Sequence, residues 1–143
     1  MHYIENSHDG NGRANHLDTD LLNFLQANKI KDNFRNTAIF LYSDHGARFS
    51  SERNSRQGHL EERQPFFSLY LPPEYKEANP IKYKNLMRNT QQITTPFDIH
   101  ETIRDLTNLP SKKSARSISV LDNIPISRTC KDIGISLHYC VII

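Results

Sequence analysis

The sequence has little of what several functional classes require. Only two of its 143 residues are cysteine, too few for a disulfide-rich scaffold and enough for one bridge or none. Neither sign of charge dominates: 18 Lys and Arg against 16 Asp and Glu leave a formal charge of +2. A nucleic-acid binder carries a strong, clustered excess of Lys and Arg, and this chain does not. Long apolar runs are scarce too. The longest in the body of the chain is Ala38-Ile39-Phe40-Leu41-Tyr42, far short of the roughly 20 residues of a membrane helix. The first twenty residues are polar, with Asp, Glu and Asn among them, and contain no secretory signal peptide. There is no internal repeat and no heptad pattern.

What is present is a polar chain of one domain's length. Hydrophobic residues make up 36% and the mean hydropathy is −0.66, which is low for a self-contained globule. Either the fold is loop-rich or the chain is a piece whose missing half supplies core. Five Gly, seven Pro and six Tyr indicate ordered structure with frequent turns, not low complexity.

Residues 1–16, with Gly10, Gly12 and several Asn and Asp, read as a loop. Asp18 or Asp20 can cap a helix running to about Lys29, with Leu17, Leu21, Leu22 and Leu25 as its apolar stripe. Asn36 to Ser43 is a short apolar run rich in strand formers, expected as a central strand buried on both faces. The charged stretch 47–64 reads as a long loop. Pro65 opens a second strand, Phe66 to Leu71, closed by Pro72-Pro73. Glu74 to Thr90 reads as helix in two pieces broken at Pro80. Thr95-Pro96-Phe97-Asp98 is a helix start with a capping-box arrangement, and that helix ends near Asn108. Residues 111–129, rich in Ser, Lys and Arg, are expected to be extended. The order helix, strand, loop, strand, helix, helix predicts an α/β layer fold with a parallel sheet.

The sharpest chemical feature is Tyr42-Ser43-Asp44-His45-Gly46-Ala47-Arg48. Ligands in open α/β sheets collect at the carboxyl ends of strands. Asp44 offers a hard oxygen and His45 a borderline nitrogen, a pair suited to Zn²⁺, Mn²⁺ or a similar ion at roughly 2.0–2.2 Å. Gly46 lets the chain turn sharply so that adjacent side chains converge. Arg48 is a candidate for holding a phosphate or sulfate oxyanion. The tetrapeptide alone also fits a plain surface turn with an exposed histidine. The strand before it and the landmarks around it favour a site.

Those landmarks resemble one family. Ser7-His8-Asp9, Asn36-Thr37 and Ser43 through Phe49 look like the alkaline-phosphatase/sulfatase superfamily, and more closely a branch of uncharacterised extracellular proteins within it. The likeness continues through Gly58-His59-Leu60-Glu61-Glu62-Arg63-Gln64-Pro65-Phe66, Leu71-Pro72, Leu86 with Asn89, and Thr94 through Thr102. It ends with Pro125 through Cys130, Gly134-Ile135, His138 and Cys140.

The resemblance implies a partial alkaline-phosphatase-like sandwich, a mostly parallel sheet with flanking helices. Residues 1–110 would be its carboxy-terminal part and 111–143 an extended tail bearing Cys130 and Cys140. Asp44 and His45 match metal ligands for Zn, Mn or Ca, and His8 matches the histidine facing the transferred group, with Asp9 orienting it. Glu61-Glu62-Arg63 is expected to be a structural ion-pair cluster, His59 a loop residue, and His100 a packing or capping residue. Four residues after Asp9 stands Arg13 where two-metal branches have histidine, so a single-metal arrangement is implied. The superfamily's nucleophile lies in the amino-terminal half of the catalytic domain, which precedes the part matched here. The implied function is part of a metal-dependent phosphate- or sulfate-ester hydrolase, inactive by itself, with a small-molecule or glycan ester as ligand. The alternative is a non-catalytic extracellular binding or structural domain. An extracellular or secretory-pathway location and a Cys130–Cys140 bridge are also implied. The last four residues, from Cys140, match the loose prenylation pattern, but no polybasic run supports it.

Overall fold

The computed structural model describes residues 16–46, 51–111 and 114–141. Elements follow in the order α1 (His16–Ile30), β1 (Ile39–Tyr42), a 3₁₀ turn (Ser51–Asn54), α2 (Arg56–Arg63), β2 (Phe67–Tyr70), α3 (Pro73–Ala78), α4 (Pro80–Asn89), α5 (Pro96–Leu106) and a last 3₁₀ turn (Leu137–Tyr139). The chain divides into two compact units, Met1–Pro73 and Glu74–Ile143.

In the first unit β1 and β2 pair antiparallel, Ile39 opposite Tyr70 and Tyr42 opposite Phe67. They form a two-stranded sheet. The ladder extends one step beyond the strands, because Ser43 N–H donates to the Phe66 carbonyl and Phe66 N–H to Ser43 Oγ, both at 3.0 Å. The rings of Phe40 and Phe67 lie 6.4 Å apart and those of Phe34 and Tyr70 6.2 Å apart, within the range of favourable aromatic pairs. On α1, Leu17, Leu21 and Leu25 are half-buried and Leu22 is exposed.

This corrects the expected fold. Among the described residues the protein is helix-rich with one two-stranded antiparallel sheet, not a mostly parallel sandwich. A central strand of a parallel sheet is covered on both faces and bonded on both edges. Strand β1 is four residues long, and its Leu41 and Tyr42 are 39% and 59% exposed. The expected loop 47–64 also contains α2. Ser55 caps it, its Oγ accepting from Gly58 N–H at 3.0 Å. Leu60 is the only large apolar residue of that helix, so no hydrophobic period marks it.

In the second unit Pro80 and Pro96 each occupy the first turn of a helix, where proline's missing N–H costs nothing. Asn108, at φ 54°, turns the chain out of α5. The core lies mostly outside the regular elements. Of the buried hydrophobic residues Leu71, Val120, Leu121, Ile124, Cys130 and Ile133, all but Leu71 come from the irregular chain after α5.

That chain is buried because the helices satisfy its backbone. Asn89 Nδ2 donates to the Val120 and Asp122 carbonyls at 2.9 and 2.7 Å. Asn85 Nδ2 donates to the Leu121 carbonyl and Arg88 to that of Ile124. On α5, Thr102 Oγ1 accepts from Val120 N–H at 2.8 Å and Asp98 Oδ1 from Ile118 N–H at 2.8 Å. Irregular backbone enters an interior only when its polar groups find such partners.

Candidate metal-binding pair and the buried ion pair of the second unit

Asp44 and His45 follow β1 after Ser43, whose ladder contact fixes where their turn begins. Asp44 Oδ1 accepts from His45 N–H at 3.0 Å. Its other oxygen, Oδ2, stands 3.4 Å from His45 Nε2. His45 Nδ1 lies 2.6 Å from the Gly46 carbonyl oxygen. A carbonyl only accepts, so Nδ1 carries the proton of this contact. In the neutral ring Nε2 then presents a lone pair toward the carboxylate. The Asp44 side chain is 86% exposed and that of His45 32%.

The two residues therefore converge at the surface instead of alternating as strand residues do. Among the described residues no three His, Cys, Asp or Glu side chains gather to hold a metal ion. His8 and Asp9 lie outside the described residues, as does Arg48. His59 sits on α2, not in a loop, with Nδ1 accepting from Arg63 Nη1 at 3.0 Å. His100 is exposed on α5.

A second cluster is fully interior. Arg128 and Asp98 form a forked ion pair, Nη1 to Oδ2 and Nη2 to Oδ1, both at 2.9 Å. Their side chains are 3% and 0% exposed. Asp98 Oδ2 also accepts from the N–H and hydroxyl of Thr95, at 2.7 and 3.1 Å. Arg128 donates further to the carbonyls of Ile93 and Ala115, at 3.0 Å each. One carboxylate thus starts α5, anchors the chain at Ile118 and neutralises a buried cation.

Cys130 and Cys140 are joined in a disulfide, with Cα atoms 5.9 Å apart. Inside the loop, Asp132 Oδ2 accepts from Thr129 N–H and Oγ1 at 2.8 and 2.7 Å. These hydrogen bonds hold the Asp132 carboxyl below its ordinary pKa. Gly134, at φ 74°, reverses the chain so that Ile135 N–H reaches the Cys130 carbonyl at 2.8 Å. Among the described residues no helix is long and apolar enough to cross a membrane.

A family model described as "Protein of unknown function (DUF229)" matches residues 1–142. The chain belongs to the DUF229 family. No curated protein and no solved structure matches it.

In this DUF229 chain the helix-start role of Asp98 is written in its neighbouring residues, and its ion pair with Arg128 is not. Thirty positions separate the two, and no local spacing connects them. The signal in the sequence is an arginine between Ile124 and Cys130, both of which are buried. A cation in such a setting needs a buried partner.

Proposed function

We propose that the Asp44–His45 pair supplies ligands to one divalent metal ion, in a domain that is part of a phosphate- or sulfate-ester hydrolase of the alkaline-phosphatase/sulfatase type. The observation that carries this reading is the 3.4 Å separation of Asp44 Oδ2 and His45 Nε2. It is long for a hydrogen bond. Two donors each about 2.1 Å from a tetrahedral ion stand about 3.4 Å apart. The Nδ1 contact to a backbone carbonyl is the outer partner that metal-ligating histidines use to fix their tautomer.

Two donors are fewer than the three protein ligands of a catalytic zinc, so further ligands must join them. When bound, the ion would act as a Lewis acid on the ester's transferred group. Within this reading His8 faces that group and Arg48 binds an oxyanion oxygen. The Cys130–Cys140 bridge supports the extracellular or secretory-pathway location that the resemblance implies.

The test is calorimetric titration of the 143-residue chain with Zn²⁺ and Mn²⁺, beside Asp44→Asn and His45→Ala. Saturable binding at one ion per chain, weakened in both variants, is the expected result. Equal binding by all three chains would refute the assignment.

A second reading is favoured by the Asp98–Arg128 pair, a buried and multiply hydrogen-bonded cluster that ties the start of α5 to Ile118 and Ala115. On that reading the chain is a non-catalytic extracellular binding or structural domain. Metal bound by a longer form carrying the amino-terminal half, without turnover of aryl phosphate or aryl sulfate, would favour it.

A further inference from the structure

The turn that carries Asp44 and His45 is docked on the last turn of α2 through one residue. Gly46 N–H donates to the Glu62 carbonyl at 3.1 Å. The Gly46 carbonyl accepts from His45 Nδ1 at 2.6 Å. One residue's backbone therefore connects the helix to the imidazole. No side chain fits at this point. A Cβ at position 46 would lie 2.1 Å from the Glu61 carbonyl oxygen, 2.6 Å from its carbon and 2.9 Å from Glu62 Cα. All three are backbone atoms and cannot swing aside. Gly134 is the glycine with positive φ among the described residues. Position 46 thus requires glycine for space, not for backbone conformation.

We propose that Gly46 is a positioning residue that docks the Asp44–His45 turn on α2 and holds the His45 ring with Nδ1 protonated and Nε2 turned to the Asp44 carboxylate. The inference rests on the metal-binding reading of that pair. A neutral imidazole carries its proton on either nitrogen, and the hydrogen bond made by one nitrogen decides the state of the other. The Gly46 carbonyl makes that bond, and it is in place only while the Gly46 N–H sits against Glu62. A methyl group at position 46 forces the turn off the helix and takes the carbonyl with it.

The experiment is a long-range ¹H–¹⁵N NMR correlation of the histidine rings in the metal-free chain, above the ordinary imidazole titration range. The His45 signals are assigned by their absence from His45→Gln. The wild-type ring is expected as the Nδ1–H tautomer. Gly46→Ala is expected to mix the tautomers and to weaken Zn²⁺ binding by about 10- to 100-fold, with the far-ultraviolet circular dichroism unchanged. A wild-type His45 protonated on Nε2 would overturn the proposal, and that spectrum decides even where the variant chain does not fold. A Gly46→Ala chain that keeps both the tautomer and the zinc affinity would overturn it as well. Mixed tautomers in the variant, with zinc bound by neither chain, would remove the metal reading and leave Gly46 as the residue that orients the ring.

Discussion

Asp98 and Arg128 show how much one carboxylate can organise. The pair is buried, so its worth lies in each charge keeping the other as partner. Asp98→Asn leaves a buried guanidinium without its counter-charge and should lower unfolding free energy by about 3–5 kcal/mol, read from urea denaturation. Arg128→Lys keeps the charge but loses the fork, and should also destabilise. Lys82 makes a different case. Burial lowers its pKa, but the hydrogen bond and charge of Asp105, at 2.6 Å, outweigh burial and raise it from 10.5. A raised folded-state value stabilises fully below the unfolded value and is lost as pH rises through the folded one. As the pH rises above 10.5, the wild-type urea midpoint should therefore fall more than that of Lys82→Met.

Helix α5 was legible because its start is written in consecutive residues: Thr95 before it, Pro96 in its first turn, Asp98 reaching back. The break between α3 and α4 was legible for the same reason, at Pro80. Strand β1 is legible as a strand, but its setting is not. A short continuous apolar run looks the same whether it is central or one of a pair. The burial of the chain after α5 is not legible, because it depends on side-chain amides and hydroxyls of other elements. Asn85, Asn89 and Thr102 look like ordinary helix-surface residues until Val120 to Ile124 lies across them. Thr102→Val removes the acceptor for Val120 N–H and should cost about 1–3 kcal/mol. The end-of-strand pair was legible in identity and position, but its dependence on α2 was not, since nothing in the sequence brings Gly46 to Glu61.

The two units differ in how much interior they hold. Among the described residues Leu71 is the one buried hydrophobic side chain of the first unit; the second holds the rest, along with all the buried charged and polar residues. Slow amide exchange tracks buried, hydrogen-bonded chain. Exchange measured by mass spectrometry should therefore be slowest over α5 and residues 118–124, and fast over α1. The disulfide adds its constraint to the second unit. Reducing it opens a short loop and should cost about 2–3 kcal/mol, seen as a lower melting temperature with dithiothreitol than without.

Synthesis runs in one direction, and the fork between Asp98 and Arg128 spans much of the second unit. While the ribosome is adding residues 99–127, α5 already has its capping carboxylate but the cation that belongs beside it has not been made. The unit can close only after Arg128 has emerged. A messenger cut short anywhere in that interval would yield a chain whose helix start carries an unanswered negative charge, a natural target for quality-control proteases.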